Sequence, residues 1–154
     1  MQCHPLIYVA GLEEYLRQPG RLPVGLFKRS NVQTFKQDRQ ILADAEAAGA
    51  RYLVTEDVDD FAESDLTAIG ISAVNPDLFL ATRLTRTAYA MVINLFVTRQ
   101  VAPPTTAEEF HRAIARQHPL LFTAHADLYD IKPDSSKQAL PKILFRGPRP
   151  LDED

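Results

Sequence analysis

Apolar positions along the chain fall into short runs in the first half and into helically spaced sets in the second. Residues 5–10 (PLIYVA) read as a short strand and 12–18 as one helical segment. Pro19, Gly20, Pro23 and Gly25 then interrupt regular structure to about Lys28. A helix capped by Asn31 or Thr34 is expected to run to about Ala48, with Ile41, Leu42, Ala45 and Ala48 on one face and Gly49 as its stop. Residues 51–55 (RYLVT) are β-prone and largely apolar, the profile of a buried strand. Residues 61–69 predict a short helix and 71–74 a second strand, and Pro76 suits the first turn of a helix through Ala81.

From Leu84 onward the pattern is helical only. Residues 85–99 form an amphipathic helix whose apolar face (Ala88, Val92, Leu95, Phe96) is of the kind that packs into a core or against a partner. Pro103 and Pro104 end that helix. Thr105 with Glu108 makes a capping box for a helix through Arg116, and Pro119 starts another to about Tyr129. Residues 131–154 hold Pro133, Pro141, Pro148 and Pro150, with one apolar cluster at 140–145, and predict a mobile tail. The expected fold is α/β: a parallel sheet with flanking helices over 1–82, a helical C-terminal extension packed on it over 83–130, and the tail over 131–154.

Composition narrows the function. A chain of 154 residues with 45% hydrophobic and 24% charged content suits one globular domain with a substantial core. No apolar run reaches the 18 or so residues of a membrane span, and the N-terminus has no basic leader region. The one cysteine, Cys3, has no partner for an internal disulfide and suits a reducing compartment, so a cytoplasmic location is expected. A net charge of -3 argues against coating nucleic acid by bulk electrostatics. It leaves room for a carboxylate site whose local sign a metal ion reverses.

Asp38 and Asp57 are the centre of that possibility. Asp38 precedes Ile41 and Leu42 by three and four positions, which sets it at the edge of the apolar face of its helix. The helix travels about 16 Å at ~1.5 Å per residue, and the strand returns over about 17–20 Å at ~3.3 Å per residue. Asp57 therefore emerges level with the helix start, at the carboxyl end of a strand, where open α/β sheets bind ligands. Asp59 and Asp60 follow just behind. Hard oxygen ligands of this kind suit Mg²⁺ or Mn²⁺ and phosphodiester hydrolysis. By spacing alone, Asp38 is equally a charge favoured by the helix dipole, and Asp57, Asp59 and Asp60 a solvated turn.

The stretch DRQILADAEAAGARYLVTEDVDDF (residues 38–61) resembles the C-terminal acidic signature of PIN domains, small metal-dependent ribonucleases. The signature has an Asp, an apolar helix, an Ala-Gly-Ala turn, then Leu-Val-Thr, any residue, and Asp. The resemblance implies that Asp38 and Asp57 bind Mg²⁺ or Mn²⁺, that Asp59 is a further catalytic acid, and that Thr55 is a supporting hydroxyl. Residues 69–81 (IGISAVNPDLFLA) look like the last strand and following helix of that fold, and 84–129 are similar to a helical extension of some bacterial PIN proteins. The implied substrate is RNA. Many PIN proteins are toxins of toxin–antitoxin pairs, so the implied partner is an antitoxin or a second copy. The family's domain begins with a strand ending in a metal-binding Asp, followed by a helical acid, often Glu. Here PLIYVAGLEEYL ends its strand-like start without Asp, Glu13 or Glu14 is the candidate for the helical acid, and only 37 residues precede Asp38. A PIN-like domain incomplete on its N-terminal side is thus expected. The alternative function is a catalytically inactive PIN-like fragment that binds protein or RNA.

Other chemistry is weaker. His111, His118 and His125 recur every seven residues, but Pro119 interrupts the helix that would align them, and Glu108, Glu109 or Asp127 would have to complete a zinc site at an unfamiliar spacing. Surface or capping histidines are the expectation. Cys3 has only His4 nearby and is no candidate nucleophile. Lys28, Arg29, Lys36 and Arg39 form a basic cluster around Asp38, suited either to guiding an RNA phosphate or to a solvated helix start.

Overall fold

The computed structural model describes residues 7–9 (backbone), 33–34, 38–100, 105–131 and 143–151. The chain divides into two compact units: Met1–Pro76 with Lys142–Asp154, and Asp77–Pro141. The division lies at Pro76, not after residue 82, and the C-terminal segment belongs to the first unit. Cys3, His4, Glu13, Glu14, Lys28, Arg29, Asn31, Lys36, Pro103 and Pro104 lie outside the described residues.

The first unit is broadly α/β. Four short strands form one sheet in the order β1-β2-β3-β4: β1 (Ile7–Val9), β2 (Tyr52–Val54), β3 (Ser72–Val74) and β4 (Phe145–Arg146). Only β2 and β3 are parallel, with Leu53 opposite Ala73; β1 on β2 and β4 on β3 are antiparallel. The expected parallel sheet is therefore mixed. An apolar run shows that a strand is buried but carries no sign of its direction, which the intervening chain decides. All three residues of β2 and of β3 are buried, as suits strands with neighbours on both sides.

α1 (Arg39–Ala47) starts at Asp38, whose carbonyl accepts from Leu42 N–H at 3.3 Å. The cap expected at Asn31 or Thr34 is thus displaced; Thr34 instead accepts from Ala62 N–H through its hydroxyl, at 3.1 Å. Leu42, Ala43 and Ala45 are the buried face of α1, and Gly49 turns the chain toward β2 at φ +63°. A one-turn 3₁₀ segment (Val58–Asp60) and α2 (Glu63–Ile69) connect β2 to β3. The core joins Leu42, Ala45, Leu53, Val58, Phe61, Leu66, Ile71 and Ala73, with Ile143 packed against it.

Residues 143–151 correct the expectation of a tail that is mobile throughout. β4 pairs with β3, Asn75 N–H donates to Leu144 O at 2.8 Å, and Tyr52 Oη donates to Pro150 O at 2.7 Å. Ser72 Oγ donates to Arg149 O at 3.1 Å and accepts from Arg149 N–H at 2.8 Å, and Leu151 is buried. Four prolines discourage a long helix or strand, but a two-residue strand and its flanks need no regular run.

The second unit is helical: α3 (Pro76–Arg83, entering it at Asp77), α4 (Arg86–Arg99), α5 (Ala107–Ile114), α6 (Pro119–Ala124) and a 3₁₀ turn (Ala126–Tyr129). α5 is capped one residue later than expected, by a reciprocal box of Thr106 with Glu109. The core of this unit is Tyr89, Ile93 and Leu121, flanked by Leu80, Leu84, Val97 and Phe110 among others. The apolar face expected of α4 is corrected with it. Tyr89 and Ile93 point inward, while Val92, Leu95 and Phe96 are exposed together with Met91, at 67% the most open of them. Apolar residues nearly encircle α4, so periodicity did not single out its inner face.

Candidate functional site

The acidic residues are set by three pieces of local structure in the first unit. The first is the end of β2. Thr55 is buried, its N–H donates to Val74 O at 3.0 Å, and its hydroxyl accepts from Asp57 N–H at 3.1 Å. That hydroxyl turns the chain sharply after the strand and sends Asp57 into the exposed start of the 3₁₀ segment, closed by Asp60 N–H on Asp57 O at 3.2 Å. The second is the start of α1. Asp38 occupies the N-cap position without using its side chain as a cap, and Arg39 Nε donates to Thr34 O at 3.0 Å. Upstream, the buried carboxylate of Asp65 on α2 accepts from Gln33 N–H at 2.8 Å and Thr34 N–H at 2.6 Å. This clamp fixes the chain four residues before Asp38.

The third piece is Arg146 on β4. Its Nη1 donates to Phe61 O at 2.8 Å and to Asp59 O at 3.3 Å, and its Nη2 lies 3.9 Å from Asp59 Oδ1. The guanidinium spans the far side of the acidic turn and fixes its backbone, a geometry suited to a planar fork of donors. The Asp59 carboxylate is 62% exposed, so its ion pair with Arg146 is worth little in itself. Sequence reasoning missed both Asp65 and Arg146. The apolar cluster beside Arg146 was the available signal for a strand there; nothing local marked Asp65, an acid in a helix first turn, as buried.

The four carboxylates share one electrostatic neighbourhood. Burial first, and then the charges of Asp38, Asp57 and Asp59, push the Asp60 carboxyl up from its usual 3.8. A helix start and a strand-end turn therefore bring their acids close enough to repel. Hard oxygen donors of this kind are chemically right for Mg²⁺ or Mn²⁺. Among the described residues, however, no three His, Cys, Asp or Glu side chains group tightly enough to hold a metal ion between them. Of the basic cluster, the structure describes only Arg39.

The histidines divide. His111 on α5 and His125 at the end of α6 are buried, at 0% and 5% exposure, and both lie against Tyr89, whereas His118 occupies the N-cap position of α6 without a side-chain cap bond and faces Asp77 at 4.0 Å. His111 and His125 are thus buried, which corrects the expectation of surface or capping histidines for His111, while His125 is buried and also the C-cap residue of α6; the seven-residue spacing gathers no three-histidine ligand set among the described residues. Asp77 is buried and accepts from Leu120 and Leu121 N–H at 2.8 and 2.9 Å, capping α6.

No family model matches the chain, and neither the curated proteins nor the solved structures give a match. Among the described residues, no helix is long and apolar enough to cross a membrane.

Proposed function

We propose that the acidic turn of the first unit holds Mg²⁺ or Mn²⁺ and hydrolyses RNA phosphodiester bonds in the manner of PIN-type ribonucleases. The supporting observation is Asp60, whose carboxyl is raised in part by the charges of Asp38, Asp57 and Asp59. Acids gathered this way repel one another unless a cation lies among them. Mg²⁺ is often held by only one or two carboxylates, with waters and phosphate oxygens as its remaining ligands. Asp38 and Asp57 would be those two, with Asp59 assisting. Bound there, the cation would activate a water and offset charge on the scissile phosphate. The Thr55 hydroxyl and the Arg146 guanidinium hold the turn in place.

A second reading is a PIN-like module without catalysis that works by binding protein or RNA. Two observations favour it: the described residues offer no three-ligand metal group, and α4 exposes Met91, Val92, Leu95 and Phe96. In the setting of a toxin–antitoxin pair, the protein partner would be an antitoxin or a second copy.

Calorimetric titration of the chain with Mn²⁺ separates the readings, with Asp38→Asn as control and cleavage of single-stranded RNA measured in parallel. On the nuclease reading the wild type binds Mn²⁺, Asp38→Asn abolishes binding, and Asp57→Asn slows cleavage about 100-fold or more with an unchanged circular dichroism spectrum. A wild-type chain that neither binds Mn²⁺ nor cuts RNA refutes that reading and leaves the binding module.

A further inference from the structure

The second unit contains a buried group that the proposed nuclease chemistry does not use. Tyr89 on α4, 1% exposed, is the hub. Its hydroxyl lies 2.6 Å from His111 Nδ1, and the His125 ring stacks on it at 4.3 Å and 12°. His111 also stacks on Phe122 at 4.6 Å and meets Tyr129 at 4.9 Å. Among the described residues each imidazole uses one ring nitrogen: His111 bonds Tyr89 and His125 bonds the Leu84 carbonyl. The Nε2 atoms of both are buried and meet no hydrogen-bond partner among the described residues.

This arrangement accepts neutral imidazoles and resists imidazolium. A second proton on either ring would put a charge into the core and leave one N–H without an acceptor. Among the described residues no free counter-charge faces the pair. Of the groups on the surrounding elements, Arg86 of α4 carries the same sign, and Asp127 of the 3₁₀ turn is taken by Arg86. Tyr129 is a neutral phenol, and Tyr89 is held neutral because burial, and then Tyr129, push its phenol up to about 12. Asp77 is occupied in capping α6, with His118 beside it. The remaining neighbour of each histidine is the other histidine, again of the same sign once protonated.

We propose that the His111–Tyr89–His125 stack is an acid-sensitive lock: the second unit stays closed while both imidazoles are neutral and opens when they take up protons. Burial lowers the proton affinity of both rings in the closed form, for His111 with a further contribution from His125 and for His125 from Arg86, against a Leu84 hydrogen bond that acts the other way. Opening restores an ordinary imidazole, near 6.5. The open form therefore takes up two protons more readily than the closed form does. Between pH 7.5 and 5.5 the population of the open form should rise by at most ~100-fold for two such groups and ~10-fold for one, the limits reached if the closed form takes up no protons. Tyr89 and Ile93, the inward side of α4, become accessible on opening.

The test is amide hydrogen exchange of the whole chain at pH 7.5 and 5.5, corrected for the intrinsic pH dependence of exchange. Protection across α4, α5 and α6 should fall by up to ~100-fold, while α1 to β3 in the first unit should not follow. His111→Phe and His125→Phe should each reduce the loss to at most ~10-fold, and the double variant should remove it. Should the variants fail to fold, the imidazole titration of the wild type by NMR decides: both rings must stay neutral below pH 6.5 while the unit is closed. Protection that ignores pH, a pH response that survives the double substitution, or two closed-state imidazoles titrating at 6.5 or above overturns the lock.

Discussion

Replacing Gly147 by alanine tests whether residues 143–151 are part of the sheet. A Cβ at this position would lie 2.7 Å from Ser72 Cα and 2.8 Å from both Ile71 O and Ser72 Oγ, where ordinary contacts begin at 3.4 Å. Two of the three atoms are backbone at or beside β3, a central strand that cannot recede without disturbing its pairing with β2. The φ of +128° adds strain for any residue with a Cβ, on the order of 1–3 kcal/mol. The clash is relieved only if the segment lifts away. That gives up the paired Ser72–Arg149 hydrogen bonds and the Asn75–Leu144 bond, each worth about 1 kcal/mol net. It also gives up burial of Leu151, roughly 2 kcal/mol. The expected loss is about 3–5 kcal/mol, limited by the total contribution of the docked segment, since a detached segment costs nothing further. Urea denaturation followed by far-ultraviolet circular dichroism measures it, and trypsin supplies an independent readout at Arg146, since Pro150 blocks cleavage after Arg149. Gly147→Ala should lower the midpoint and open the bond after Arg146 to cleavage. A loss below about 0.5 kcal/mol with unchanged trypsin resistance would mean that the segment does not complete the sheet.

Asp65→Ala should cost the first unit about 2–4 kcal/mol, because it strips the acceptor from the N–H groups of Gln33 and Thr34. Asp65→Asn, which keeps an acceptor oxygen, should cost clearly less; equal and small losses in urea titrations would remove the clamp from the account of how Asp38 is placed. Asp60 has a raised carboxyl, so the folded state holds that proton more tightly than the unfolded one. Its contribution is full below pH 3.8 and is lost as pH rises through the raised value. Asp60→Asn should therefore stabilise the chain at pH 7 and low salt by roughly 0.5 kcal/mol, a small figure because solvent screens the partly exposed turn. Saturating Mn²⁺ should reduce that gain, whereas destabilisation by Asp60→Asn at pH 7 would contradict the repulsion. Acid thus has opposite effects on the stability of each unit taken by itself: it relieves Asp60 in the first and loads His111 and His125 in the second.

Much of the secondary structure was legible because it follows from local rules. The apolar runs at β2 and β3, Pro76 and Pro119 at helix starts, and Gly49 at a helix end all act within a few residues. The juxtaposition of α1 and the β2 end could be argued from element lengths, since a helix and a strand of nearly equal reach must bring their far ends back together. The capping box was displaced by one residue because TTAEEF offers two threonines and two glutamates in the same register.

Tertiary structure alone decided the rest, each time because the deciding partner is distant in the chain. Strand direction depends on the connecting path and not on the residues of the strand, so β1 and β4 were free to run antiparallel. Arg146 reaches an acidic turn 85 and 87 residues away, and Asp65 holds backbone 31 and 32 residues upstream. The face that α4 buries was chosen by Leu121 and the other residues packed against it, since the helix itself is apolar nearly all round. His111 and His125 became a pair only because two helices bring both against Tyr89. Composition and periodicity determine which segments form helices and strands; which polar groups meet, and hence where chemistry can occur, is set by contacts that no local window contains.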